Sequence, residues 1–198
     1  MVSIVILAAG SSQRMGAKNK LLLPFKGKAL FLHAVDACLD SAANECILVS
    51  GHESAAITKS LDNRKLNIIH NPNFQTGMTG SIQIGIRNCS PNSTAYLICL
   101  SDMPFVTAND INQLIRHFSR FRSEQSKPSI IMAKCAGNKS HPILFSAEFK
   151  TEILNHENPN GCKEVIQKNE KHVQYCSFSH DFSVDINDEE SYLKWNGF

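Results

Sequence analysis

The first loop of this 198-residue sequence gathers the groups that a polyphosphate needs. Residues 7–24 read Leu-Ala-Ala-Gly-Ser-Ser-Gln-Arg-Met-Gly-Ala-Lys-Asn-Lys-Leu-Leu-Leu-Pro. Gly10 and Gly16 let the backbone approach a ligand closely, with amides turned to its oxygens, and Ser11 and Ser12 add hydroxyls. Arg14, Lys18 and Lys20 bring positive charge, and an arginine can grip a phosphate with two parallel hydrogen bonds. That chemistry is phosphate binding; the plainer reading is a solvated turn that carries charge. The loop is not a P-loop, since Met15 stands where G-x-x-x-x-G-K-[ST] has its second Gly. It also lacks the G-x-G-x-x-G fingerprint of nicotinamide and flavin binding.

Three other stretches carry candidate groups. Asp102 lies in Ser101-Asp102-Met103-Pro104, where the proline stops a strand and leaves a carboxylate at its end. Such a carboxylate can hold a hard cation such as Mg²⁺, or can simply be a turn residue or helix cap. Residues 71–82, Asn-Pro-Asn-Phe-Gln-Thr-Gly-Met-Thr-Gly-Ser-Ile, form a turn-rich stretch that opens a helix. Its amides and hydroxyls can serve a base or an anion, or can serve only to cap that helix. His141 and Pro142 precede an apolar run, and a single histidine is more often structural than catalytic.

These groups need a frame that delivers them to one place. Short apolar, β-branched runs predict strands at 2–8, 45–50, 66–70, 95–101, 129–133 and 172–178. Ile111, Leu114, Ile115 and Phe118 repeat at helical spacing and predict a helix over 109–121, with Thr107 and Asp110 resembling a capping box. Ile82, Ile86 and Cys89 mark a second helix, and 30–39 a third. The polar stretch 121–128 reads as a surface loop. Alternating strands and helices predict a three-layer α/β/α, Rossmann-like fold with a mostly parallel sheet. In such sheets ligands bind at the carboxyl ends of the strands, where the candidate loops fall. No repeat or long linker divides the chain, so residues 1–198 are expected to form a single domain.

Composition narrows the classes further. Apolar residues make up 42% and charged residues 19%, which excludes a disordered polyelectrolyte. A net charge of +2 gives no support to a nucleic-acid or membrane partner. That total hides an asymmetry: residues 1–35 hold five Lys/Arg and no acid, while 181–198 hold five acids and one Lys. The seven cysteines are scattered without C-x-x-C spacing, as in a reduced cytoplasmic protein, and the apolar run at 2–9 is too short for a signal segment or membrane span.

The run 7–24 resembles the L-A-A-G-x-S-x-R-M-G-x-x-K-x-L-L-P stretch of the MobA-like nucleotidyltransferase family, and within it the molybdenum-cofactor cytidylyltransferases. Further segments occur in the family's order: Asn71–Ile82, Asp102-Met103-Pro104, His141-Pro142-Ile143-Leu144-Phe145 and Val184-Asp185-Ile186. The resemblance implies nucleotide binding by Leu7, Ala8, Ala9, Gly10, Ser11, Ser12, Arg14, Met15, Gly16, Lys20, Gly77 and Ser81. It implies catalysis by Arg14, Lys20 and Asp102, Mg²⁺ on Asp102 and Asp185, and a second-substrate pocket lined by His141 and Pro142. The implied reaction moves a nucleoside monophosphate from an NTP, CTP by the Ala8-Ala9-Gly10 pattern, to the phosphate of molybdopterin or molybdenum cofactor, releasing pyrophosphate. A molybdoenzyme apoprotein is a further implied partner. Guanylyl transfer, or transfer to a sugar or polyol phosphate, shares the fold. The sequence departs from the family at Asn160-Gly161-Cys162-Lys163, where relatives show G-D-x-G-A-R, and after Asn187, where Thr-Pro is replaced by Asp188-Glu189. Those departures motivate a different class, a non-catalytic protein that binds and delivers molybdenum cofactor.

Overall fold

The computed structural model describes residues 1–11, 19–186 and 188–197. Its central sheet, among those residues, has seven strands: β1 (Val2–Ala8), β4 (Glu45–Ser50), β5 (Asn67–His70), β6 (Ala95–Leu100), β7 (Ile130–Cys135), β8 (Asn138–Ser146) and β9 (Val173–Phe178). A small hairpin pairs β2 (Pro24–Phe25) with β3 (Lys28–Ala29) across Lys26 and Gly27, both at positive φ. The sheet order is β5-β4-β1-β6-β8-β7-β9, and β8 runs antiparallel to both its neighbours. The six strands read from sequence are all present, two with the same ends and four with ends shifted by one or two residues.

Strand alternation divides the core into two layers. From β1, Ile4, Ile6 and Ala8 face one side, where α1 (Leu30–Leu39), α2 (Ser54–Ser60) and α4 (Ala108–Gln125) pack. Val5 and Leu7 face the other, against α3 (Met78–Asn88), α5 (Lys150–Leu154) and α6 (Lys163–Lys168). Helix α3 lies so close to β1 that a Cβ on Gly85 would sit 2.3 Å from Val5 Cγ1, so glycine is required there. The capping box of α4 is present as read: Asp110 N donates to Thr107 Oγ1 (3.3 Å) and Thr107 N donates to Asp110 Oδ2 (2.9 Å). A last helix, α7 (Glu189–Asn196), is tied to the β2–β3 hairpin by the Tyr192 hydroxyl donating to Pro24 O and by Lys26 N donating to Asn196 Oδ1 (3.1 Å). The basic start and acidic end of the chain therefore meet.

Two expectations need correction. The stretch 121–128 is not a loop throughout, because α4 continues to Gln125, with Arg120 and Glu124 paired one turn apart at 2.8 Å. Strand β8 was not expected, because its polar start and Pro142 hide the strand pattern. The pairing explains how proline fits: register shifts between Met132 and Ala133, leaving His141 and Pro142 in a bulge where no ladder amide is demanded. All seven cysteines are free, and burial pushes the thiols of Cys46, Cys89 and Cys162 up to about 12, which leaves them inert. No helix among the described residues is long and apolar enough to cross a membrane.

Candidate active site

A cleft of about 870 Å³ opens over the carboxyl ends of β1 and β6. The turn after β1 contributes Ala9, Gly10 and Ser11, and the turn after β6 contributes Ser101 and Asp102. Phe74, Gly77, Met78 and Ser81 line it from the start of α3, Lys20 from the short helical turn before β2, and Asp185 from the segment before α7. Serine after β6 is needed for more than lining: its Oγ donates to Leu7 O at 2.6 Å, fastening the ends of the two central strands. Gly51, after β4, allows the neighbouring turns to approach, since a Cβ there would lie 2.8 Å from Ala9 O and 2.6 Å from Phe74 Cβ. Gly77, at φ +115°, backs onto Pro159, whose carbonyl accepts from Met78 N at 2.9 Å.

The charged centre is compact. Lys20 Nζ donates to Asp102 Oδ2 at 2.6 Å, with the two side chains 13% and 19% exposed. Ile186 N donates to Asp102 O at 3.2 Å, which brings Asp185 beside that pair. Burial, and then the Asp102 charge, raise the Asp185 carboxyl to about 6, with the Lys20 ammonium opposing. Across the strand, burial lowers the His141 imidazole to about 4 against the pull of Asp102, so this ring is neutral at pH 7. Two crowded carboxylates that resist ionising together are hard oxygen donors with charge to spare. Among the described residues no group of three or more His, Cys, Asp or Glu could hold a metal. Mg²⁺ is ordinarily held by one or two carboxylates together with substrate phosphates, so the Asp102–Asp185 pair fits it.

Of the residues singled out in sequence, Leu7, Ala9, Gly10, Ser11, Lys20, Gly77, Ser81, Asp102 and Asp185 line this cleft. Ala8 turns its side chain into the core. Ser12, Arg14, Met15, Gly16 and Lys18 lie outside the described residues. His141 and Pro142 sit on the β8 bulge, the proline buried and the histidine half-buried beside Asp102 rather than along the open cleft. Sequence reasoning assigned nothing to Asn71, Phe74 or Gly51. Asn71 and Phe74 fall in the turn-rich stretch already singled out, but only folding shows which of its side chains turn inward.

Comparison with known proteins gives one family and a consistent fold. A family model described as the MobA-like NTP transferase domain matches residues 4–173. "Nicotine blue oxidoreductase" of Paenarthrobacter nicotinovorans is 24% identical over 152 residues, covering 77% of this chain and 74% of that protein. "Bifunctional protein GlmU" of an Exiguobacterium strain is 29% identical over 130 residues, 65% of this chain and 28% of its own, so the chain spans about a quarter of that relative's length. Among solved structures, Rv0371c of Mycobacterium tuberculosis H37Rv superposes with a TM-score of 0.84 at 19% identity, covering 100% and 97% of the two chains. A nucleotidyl transferase from Methanothermobacter superposes at 0.82 and 21% identity, covering 99% and 96%. Rv0371c has also been solved with manganese, and that structure superposes at 0.80 and 19% identity, covering 98% and 97%.

Proposed function

The chain belongs to the MobA-like NTP transferase family, and from that premise we propose that it transfers a nucleotidyl group from CTP to the terminal phosphate of molybdopterin or molybdenum cofactor, releasing pyrophosphate. One observation carries this reading: Lys20, Asp102 and Asp185 converge at the mouth of a cleft whose other wall is a glycine-rich turn. An acceptor phosphate oxygen attacks the α-phosphorus, a P–O bond forms, and the bond to the bridging oxygen of pyrophosphate breaks in line. The acceptor is already ionised near neutral pH, so no general base is required. What the protein must supply is alignment and positive charge where negative charge moves.

Each residue has a part in that. The turn at Ala9–Ser11 offers backbone to the triphosphate, while Gly77 and Ser81 hold the base at the start of α3. Lys20, with Arg14 from the same loop, neutralises the triphosphate and the departing pyrophosphate. Asp102 and Asp185 are the residues that would hold Mg²⁺, which supplies Lewis-acid chemistry at a phosphate when bound. His141, kept neutral, adds no charge that would compete with Lys20 for Asp102. His141 and Pro142 are the residues we propose to meet the second substrate, a role that rests on the family resemblance alone.

Incubation with each of the four common NTPs, Mg²⁺ and molybdopterin, a sugar phosphate or a polyol phosphate tests the assignment. Pyrophosphate release is expected with CTP and molybdopterin, and its absence with every pair would overturn the reading. Because one relative carries an oxidoreductase name, a parallel arm follows reduced nicotinamide at 340 nm and is expected to show no consumption. A cofactor-delivery protein would release no pyrophosphate yet still bind the pterin.

A further inference from the structure

We infer that Lys20 is the counterion of Asp102 in the nucleotide-free protein and passes to the triphosphate when it arrives, so that a divalent cation binds with the nucleotide and only weakly before it; this deepens, and rests on, the nucleotidyl-transfer reading above. Lys20 Nζ donates to Asp102 Oδ2 at 2.6 Å, with little of either side chain exposed. A charge pair so withdrawn from water is screened little, and each partner satisfies the other. Asp185 belongs to the same electrostatic centre, since Asp102 raises its carboxyl and Lys20 lowers it. Among the described residues that line the cleft, Lys20 is the one cation.

The charges decide what this centre attracts. Two ionised carboxylates would draw a divalent cation strongly, but the ammonium cancels one of their two charges. An incoming cation meets one net negative charge and is repelled by Lys20 at close range. Mg²⁺ also gives up its waters reluctantly and is usually held by one or two carboxylates together with substrate phosphates. A triphosphate in the cleft removes both obstacles: its oxygens complete the cation's ligands, and its charge draws the ammonium away from Asp102. The backbone suits that exchange. Leu21, the next residue, is 3% exposed and packs in the core, and Asn19, the one before, is 5% exposed. Leu21 N donates to Asn19 Oδ1 at 3.1 Å, closing the short turn that carries Lys20. The chain is thus held on both sides, while the flexible four-carbon stem of lysine can swing its point charge to a new partner. Gly10 and Ser11, proposed above to meet the triphosphate, line the same cleft as this ammonium.

Mn²⁺ serves as the probe, because it takes the same oxygen ligands and its free form is read directly by electron paramagnetic resonance. Nucleotide-free protein is titrated at pH 7.5 as wild type, Lys20→Met, Lys20→Arg, and Lys20→Met combined with Asp102→Asn. Lys20→Met is expected to bind Mn²⁺ about tenfold more tightly than wild type, an ordinary size for coupling between two binding events. A merely structural lysine would leave that affinity unchanged or lower when removed, never higher. Lys20→Arg keeps the charge and is expected to stay within about twofold of wild type. Asp102→Asn is expected to abolish the gain, because the two cations compete for that carboxylate. CTP is then titrated with EDTA present, and Lys20→Met is expected to weaken its binding about tenfold, the worth of one charged hydrogen bond. Should Lys20→Met fail to fold by thermal melting, Lys20→Gln removes the charge while keeping a donor for Asp102. Unchanged or weaker Mn²⁺ binding by the folded neutral variant, a gain shared by Lys20→Arg, a gain that survives Asp102→Asn, or unchanged CTP affinity would overturn the inference alone. Wild-type protein that binds neither CTP nor Mn²⁺ would overturn the transferase reading and this inference with it.

Discussion

Asp185 shows how much a single side chain reports about the site. Its carboxyl is raised to about 6 by burial and by Asp102, above the 3.8 of a free aspartate. A raised carboxylate favours the folded state below its unfolded pKa and loses that advantage as pH climbs through the folded one. Between pH 4 and pH 6 the metal-free protein should therefore lose part of its stability, and above pH 6 the loss is complete. Asp185→Asn is expected to raise the melting temperature of metal-free protein at pH 7.5 and to leave it unchanged at pH 3.8 or below, while abolishing stabilisation by Mg²⁺. A lower melting temperature at pH 7.5 would show that the two carboxylates do not repel. Lys20, Asp102 and Asp185 could be picked from sequence because charge and family motif coincide there. Asn71 could not, because no spacing rule records that its buried carboxamide bonds to Ser81 Oγ and Asn73 N.

At the scale of elements, strand ends matter more than helices. The turns after β1 and β4 touch across Gly51, where any Cβ would lie within 3 Å of both Ala9 and Phe74. Gly51→Ala should destabilise the protein by about 1–3 kcal/mol, the usual cost of overpacking, and weaken nucleotide binding by displacing the Ala9–Ser11 turn. Denaturant melts and CTP titration of that variant check both effects; a neutral outcome in each would remove the turn from the account. Thr107→Ala, by contrast, should cost about 1 kcal/mol of stability through the lost cap and leave nucleotide affinity as it was. The long helices and the parallel strands were legible because periodicity of 3.6 or of 2 survives in a buried element. Strand β8 was not, since a bulge at His141 and Pro142 interrupts the alternation that would reveal it. Its place between β6 and β7 depends on pairing distant in sequence, which local propensity does not encode.

For the whole molecule, the two ends of the chain form one structure. Phe25, Leu30 and Ile186 share a small apolar cluster, and Trp195 packs edge-on against Phe105 with ring centroids 5.1 Å apart. Phe105 follows Asp102 by three residues, so α7 rests directly on the loop that carries the central carboxylate. Trp195 is the single tryptophan, and its fluorescence reports this contact. In guanidinium its transition should coincide with loss of the sheet followed by circular dichroism, as one cooperative unit requires. An earlier fluorescence transition would show that α7 detaches by itself. The net charge of +2 conceals that Lys20 and Lys26, from the basic start of the chain, lie beside Asp185 and α7 from its acidic end. The measurement that bears most directly on the account follows the α-phosphate itself. With α-labelled CTP, Mg²⁺ and molybdopterin, label should pass to the pterin with one pyrophosphate released per label, and Asp102→Asn should reduce the rate by about a hundredfold or more, as loss of a metal-holding carboxylate does. Label that stays with CTP while the protein is folded and the pterin bound, or a transfer rate unchanged in Asp102→Asn, would contradict it.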